Sequence, residues 1–159
     1  MDKDTVTEMD DTTSEDVSPV IYACDGYTPL TFCVELGLAN DVQRLIRNGA
    51  DINQPDNFTH SRSPLITAIS RRNIVMVQLL IELGADVNLM VDGICPIHAA
   101  CRMNSFMIVE ALVEKGADVN VPDEYGYTPL DIALNFSSGR NEKIIDDLLI
   151  GGAKVDLLI

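Results

Sequence analysis

The sequence predicts an all-α solenoid of four stacked helix-turn-helix units with projecting β-turn fingers, and three observations predict it. The peptide GADIN at 49–53 recurs as GADVN at 84–88 and 116–120, and GGAKV at 151–155 is a worn fourth copy. A Pro-containing tetrapeptide lies upstream of each: YTPL at 27–30, RSPL at 62–65, ICPI at 94–97 and YTPL at 127–130. The Pro-to-Gly interval is 20 residues in the first three units (29 to 49, 64 to 84, 96 to 116) and 23 in the fourth (129 to 152), where FSSGRNEK is inserted. A fixed period of this kind marks units that bury their apolar faces only by stacking on one another.

Each unit opens with a short helix at its Pro, whose fixed φ suits a first turn and whose missing N–H is not needed there. Thr28, Ser63 and Thr128 stand just upstream as caps, and Cys95 takes that place in the third unit. A longer helix follows. Counting back seven, four and three from the Gly gives Val42, Leu45 and Ile46, then Val77, Leu80 and Ile81, then Val109, Leu112 and Val113, then Ile145, Leu148 and Leu149. That spacing is one buried face per helix. Asn40, Asn73, Asn104 and Asn141 precede these helices as predicted caps, and a Gly able to take the left-handed conformation ends each one. Asn53, Asn88 and Asn120 read as turn residues whose amides bond local backbone. The units run about 22–55, 56–90, 91–121 and 122–155, within a domain of 20–159. Finger 2 (DNFTHSRS) carries two extra residues and finger 3 (LMVDGIC) is one short.

At 159 residues the chain is long enough for one domain with a real core and short for two. Aromatics make up only 5% with no Trp, so that core must be aliphatic. The 25 acidic against 11 basic residues give a net charge of −14, a field that repels phosphate and argues against nucleic acid or an anionic membrane as partner. No secretory leader opens the chain, and no apolar run reaches the ~18 residues of a membrane helix. Cys24, Cys33, Cys95 and Cys101 form no CxxC pair, the usage of reduced thiols in a cytoplasmic or nuclear protein. Residues 1–19 predict an acidic disordered tail, either solubilising or competing for the binding face. The terminal VDLLI is apolar where a polar cap is expected, so either Leu157, Leu158 and Ile159 pack back or the array continues.

The pattern D-G-x-T-P-L…A…L-L/I…G-A-D-V-N resembles the ankyrin repeat over about residues 22–155. The resemblance implies a monomeric, non-catalytic protein–protein interaction module with no cofactor and no metal. It also implies contact positions: the finger residues five, four and two before each Pro and the helix residues six and seven after it. Carried over, these place Tyr27 and Glu35 on the face in unit 1, and His60, Arg62, Ser70 and Arg71 in unit 2. Unit 3 adds Asp92, Ile94, Arg102 and Met103, and unit 4 adds Tyr125, Tyr127, Asn135 and Phe136. Tyr and Arg are the residue types that dominate binding hot spots. Arg62, Arg71 and Arg102 also put a basic spot in an acidic molecule, which points to an acidic or phosphorylated segment of the partner. A small inhibitor or adaptor fits this picture. A structural fragment of a larger scaffold is the alternative within the same fold.

CPIHAACR (95–102) raises a different possibility, a thiol or metal enzyme at Cys95/His98. Six residues of helix turn ~600°, so Cys95 and Cys101 point about 120° apart and do not converge on one ion. Three ligands are also one fewer than a structural zinc site takes, and a Cys–His pair lacks an orienting third group here. His98 therefore reads as structural. Asp123 with Glu124, and Asp146 with Asp147, are adjacent carboxylates that diverge, and they read as solvated groups.

Overall fold

The computed structural model describes residues 26–58, 60–135 and 142–155. Their helices come in four pairs: α1 (Pro29–Leu36) with α2 (Ala39–Arg47), α3 (Pro64–Ser70) with α4 (Ile74–Glu82), α5 (Pro96–Arg102) with α6 (Phe106–Glu114), and α7 (Pro129–Asn135) with α8 (Glu142–Ile150). Every short helix begins at its predicted Pro. The partners of each pair pack together; α1, α3, α5 and α7 form one row, and α4, α6 and α8 lie side by side behind it. This is the all-α repeat solenoid the sequence predicts, and among the described residues its only extended pairing is an isolated bridge between Val91 and Ile94. No helix among them is long and apolar enough to cross a membrane.

Within a unit, the turn between helices needs one residue with positive φ, eight positions after the Pro. Gly37 (74°) supplies it freely, whereas Arg72 (55°) and Asn104 (52°) hold the same conformation against a Cβ clash. The turn is bonded identically each time: Leu38, Asn73 and Ser105 donate their N–H groups to the carbonyls of Cys33, Ala68 and Ala100. The longer helices then close on Gly49, Gly84, Gly116 and Gly152, all with φ between 83° and 97°, as expected.

Two local expectations need correction. Ile46, Ile81 and Val113 are only half-buried and Leu149 is exposed, while Met76, Ile108 and Ile144, eight residues before the Gly, are buried. At ~100° per residue both triplets span equal arcs of a helix, so spacing alone does not choose between them. Neighbouring units choose. Of the four predicted Asn caps, Asn73 accepts the Met76 N–H at 3.1 Å. Asn40 lies inside α2 and Asn104 sits two residues before α6, in the turn, because the outer helix starts ten residues after the Pro in all three units while Asn40, Asn73 and Asn104 stand eleven, nine and eight residues after it. Asn141 lies outside the described residues.

The Gly-Ala-Asp-x-Asn turns do more than close a unit. In each, the Asp carboxylate holds the N–H of its own Asn: Asp51 to Asn53 (2.9 Å), Asp86 to Asn88 (2.8 Å) and Asp118 to Asn120 (2.9 Å). The Asn side chain, freed from its own turn, reaches the next unit. Asn53 accepts from the Asp86 N–H (2.9 Å), Asn88 from Asp118 (2.7 Å) and Asn120 from Lys154 (2.8 Å). Asn88 and Asn120 also donate to the carbonyls of Gly116 (3.2 Å) and Gly152 (3.0 Å). The local bonds predicted for these amides are thus inter-unit straps. At roughly 0.5–1.5 kcal/mol per bond, Asn88→Ala should lower stability by about 1–2 kcal/mol. A shifted urea midpoint with unchanged partner affinity is the expected signature.

Candidate functional site

Three fingers and the inner ends of two short helices form a groove of about 550 Å³ on the face of the inner row. Two of the fingers are organised by a buried carboxylate. In finger 2, Asp56 accepts the Arg62 N–H at 3.0 Å and donates its own N–H to the Arg62 carbonyl at 3.0 Å. In finger 4, one oxygen of Asp123 accepts the N–H groups of both Tyr125 and Tyr127 at 2.9 Å. The two aspartates share one register once the two extra residues of finger 2 are allowed for. Finger 3 has Val91 at that place, and there Val91 and Ile94 exchange backbone hydrogen bonds of 3.1 and 3.0 Å instead. Fingers 2 and 3 are linked by the Ser61 N–H, which donates to Asp92 at 2.8 Å.

Eight of the predicted contact residues line this one groove: His60, Arg62, Ser70, Asp92, Ile94, Arg102, Met103 and Tyr125. Tyr127 joins Arg102 and Tyr125 around an adjoining hollow, and Tyr27 and Glu35 share a smaller one with Arg62. Tyr27 is half-buried, with its ring edge-on to Phe58 (4.6 Å) and Phe32 (5.8 Å), so it braces the first finger. Asn135 is exposed at the end of α7, outside the groove. Phe136 lies outside the described residues. Residues that spacing missed are Ile66 and Ala99, which give the groove an apolar floor, and Asp56 and Asp123 beneath its fingers. The register shared by those two aspartates was the available signal.

Charge in the groove is less one-sided than the arginine count implies. Arg102 pairs with the second Asp123 oxygen at 2.6 Å, and Arg71 pairs with Glu35. Asp123, read from sequence as solvated, is only 6% exposed; its neighbour Glu124 does point outward, and divergence sent one group in and the other out. Burial opposes the Asp123 charge, but the amides of Tyr127 and Tyr125 and the Arg102 guanidinium outweigh it and hold the carboxyl below its ordinary value. Arg62 is exposed, and its guanidinium has no ion pair among the described residues.

The CPIHAACR residues are fastened elsewhere. His98 is buried, and both ring nitrogens are engaged: Nδ1 accepts the Cys95 N–H at 3.1 Å and Nε2–H donates to the Val121 carbonyl at 2.9 Å. These bonds tie α5 to the backbone just before the fourth finger and fix the neutral tautomer. Burial pushes the Cys101 thiol up to about 12 and raises that of Cys95, the latter helped by Asp118 and Asp86. A thiol held protonated is a poor nucleophile and a poor metal ligand.

Comparison with known proteins meets this geometry directly. The family pattern for ankyrin repeats (3 copies) matches residues 30–123 and 90–158. The chain belongs to the ankyrin-repeat family. Repeats of this family are protein-interaction scaffolds presenting an extended concave surface. The B-cell lymphoma 3 protein homolog of Mus musculus is 35% identical over 141 residues, covering 88% of this chain and 30% of that protein. Rabankyrin-5 of Homo sapiens is 38% identical over 84 residues, 51% of this chain and 7% of that one. The chain therefore spans less than a third of either relative. Among solved structures, the ankyrin repeat domain of Bcl-3, a unique member of the IkappaB protein family, matches with a TM-score of 0.71 at 35% identity. That match covers 79% of this chain and 52% of the Bcl-3 domain.

Two outcomes follow from the buried polar groups of this ankyrin array. Asp123→Ala leaves two finger amides and Arg102 without their acceptor, which should cost about 2–3 kcal/mol, seen as an earlier urea midpoint. Burial also lowers the His98 pKa, so the fold favours the neutral ring. The stability this confers is full above about pH 6.5 and is lost as the pH falls from there toward the lowered folded value. Unfolding free energy should drop by at most ~1.4 kcal/mol per pH unit in that window. His98→Thr, the residue unit 1 uses at this place (Thr31), should flatten the slope.

Proposed function

We propose that this ankyrin-repeat chain is a non-catalytic binding module, acting as a small monomeric inhibitor or adaptor that captures a partner protein in its concave groove. One observation carries the reading: eight residues chosen by position in the sequence line a single groove with an apolar floor and a polar rim. Such a site takes an apolar anchor between Ile66, Ile94 and Met103 while the rim fixes orientation. Its fingers are held by buried carboxylates and cross-finger bonds, so little ordering entropy is lost on capture. The acidic or phosphorylated character proposed for the partner rests on Arg62, since Arg71 and Arg102 already hold carboxylates. A cytoplasmic or nuclear setting fits Cys95 and Cys101, thiols buried in the core.

Affinity capture from native lysate with the folded chain, read by mass spectrometry, identifies the partner. Against it, Arg62→Glu and Met103→Glu should each weaken binding at least tenfold at an unchanged melting temperature. A control at the back of the array, Lys115→Glu on the exposed end of α6, should bind normally. Equal capture by all three folded variants would remove the groove from consideration.

A further inference from the structure

At Gly26, where the described residues begin, the chain is fastened to the neighbouring unit. The Asn57 N–H donates to the Gly26 carbonyl at 2.6 Å, and the Phe58 ring lies so close that a Cβ on Gly26 would meet it at 2.5 Å. Asn57 and Phe58 belong to finger 2, whose His60, Ser61 and Arg62 line the groove. Whatever precedes Gly26 is thus delivered at the edge of the groove. What precedes it is acidic: residues 1–17 carry seven acids against one Lys, with Met1, Val6, Met9 and Val17 as their apolar side chains. Met9 is followed directly by Asp10 and Asp11.

The groove is complementary to that combination. Arg62 is exposed, has no ion pair among the described residues, and shares the groove with the apolar Ile66, Ile94 and Met103. Asp92 and Glu124 line it on fingers 3 and 4, so a uniformly acidic strand is repelled there and an apolar side chain is accepted. Fifteen residues separate Asp11 from Gly26, and an extended chain covers at most ~3.3–3.6 Å per residue, about 50 Å in all. Packed helices lie about 8–10 Å apart, so two steps along the inner row, from α1 to α5, take roughly 20 Å. We infer that the groove's resting occupant is the chain's own segment around Met9–Asp11, with Met9 on the apolar floor and Asp10 and Asp11 at Arg62, and that a partner enters by displacing it. A segment tethered to its site acts at an effective concentration in the mM range, an advantage that the same segment of a second copy lacks. The inference rests on the groove being the binding face and adds what a partner must compete with.

The test uses the full 159-residue chain and amide NMR spectra. Met9→Glu combined with Asp10→Lys and Asp11→Lys should shift the signals of Arg62, Ile66, Ile94 and Met103. Those of Gln78 and Lys115, exposed at the back, should stay in place. A synthetic peptide of residues 6–17 should return the groove signals of this variant to their original positions. It should bind the variant at least roughly tenfold more tightly than the unsubstituted chain, whose groove is already filled. Adding Arg62→Glu to the variant should remove that binding. Groove signals that do not move, or a peptide that binds both chains equally or neither, overturn the inference. Differences that vanish on dilution assign the contact to a second copy and overturn it as well. None of these measurements involves the partner, so capture by Arg62→Glu and Met103→Glu still decides the groove reading separately.

Discussion

No helical pair in this chain can bury its apolar face alone, and that constraint shapes everything else in it. A helix of seven to nine residues is too short to persist in water on propensity alone. Stability comes instead from the row of inner helices and from the Asn53, Asn88 and Asn120 straps, each reaching across about thirty residues into the following unit. The Asp of each turn matters here because it satisfies the backbone N–H of its own Asn and leaves the amide free to bridge. Separating the two jobs between neighbouring residues lets one pentapeptide both end a unit and attach it to the next. That dual use accounts for its being the best-preserved peptide within the chain.

Much of this was legible because repetition multiplies a weak signal. A single TPL or GADVN says little, but four in register locate every short helix to the residue. The failures came where a unit's own chemistry, not the shared pattern, decides. Asn40 and Asn104 look like caps by position, yet the turn before α6 needs a residue with positive φ, and Asn104 supplies that in place of a cap. The buried arc of the outer helices was misplaced by one residue, since two arcs of equal width fit the same periodicity. Asp123 was misjudged because sequence adjacency shows that two carboxylates diverge but not which one the finger folds around.

The candidate site was legible in its members more than in its electrostatics. Position in the repeat brought eight residues to one groove, but it gave no hint that Arg102 and Arg71 carry carboxylates with them. The pairing changes what the groove can do. An arginine held by a buried aspartate is a fixed rim element that stacks and donates through its remaining N–H groups, whereas an unpaired one responds to any passing anion. Arg62 is of the second kind, and Tyr125, 69% exposed on the opposite finger, offers a large flat surface at small entropic cost. The groove therefore pairs one responsive charge with apolar and aromatic area, an arrangement suited to orientation as much as to affinity.

The residues that looked most like chemistry turn out to solve a structural problem four different ways. Each short helix starts with a cap residue and a partner three positions on. In unit 1 Thr28 and Thr31 bond each other's backbone N–H groups at 3.1 and 2.9 Å. Unit 2 uses Ser63 alone, accepting from Ile66. Unit 4 uses Thr128 with the Asp131 carboxylate, which accepts both the backbone N–H (2.9 Å) and the hydroxyl (2.7 Å) of Thr128. In unit 3 the pair is Cys95 and His98, and the imidazole fills the role of the second Thr while extending far enough to reach Val121, just before the fourth finger. A histidine serves there because its two nitrogens lie on opposite edges of a rigid ring: one closes the helix start and the other holds the following finger. A catalytic or metal-binding imidazole must keep one of those edges free, and this one has none to spare.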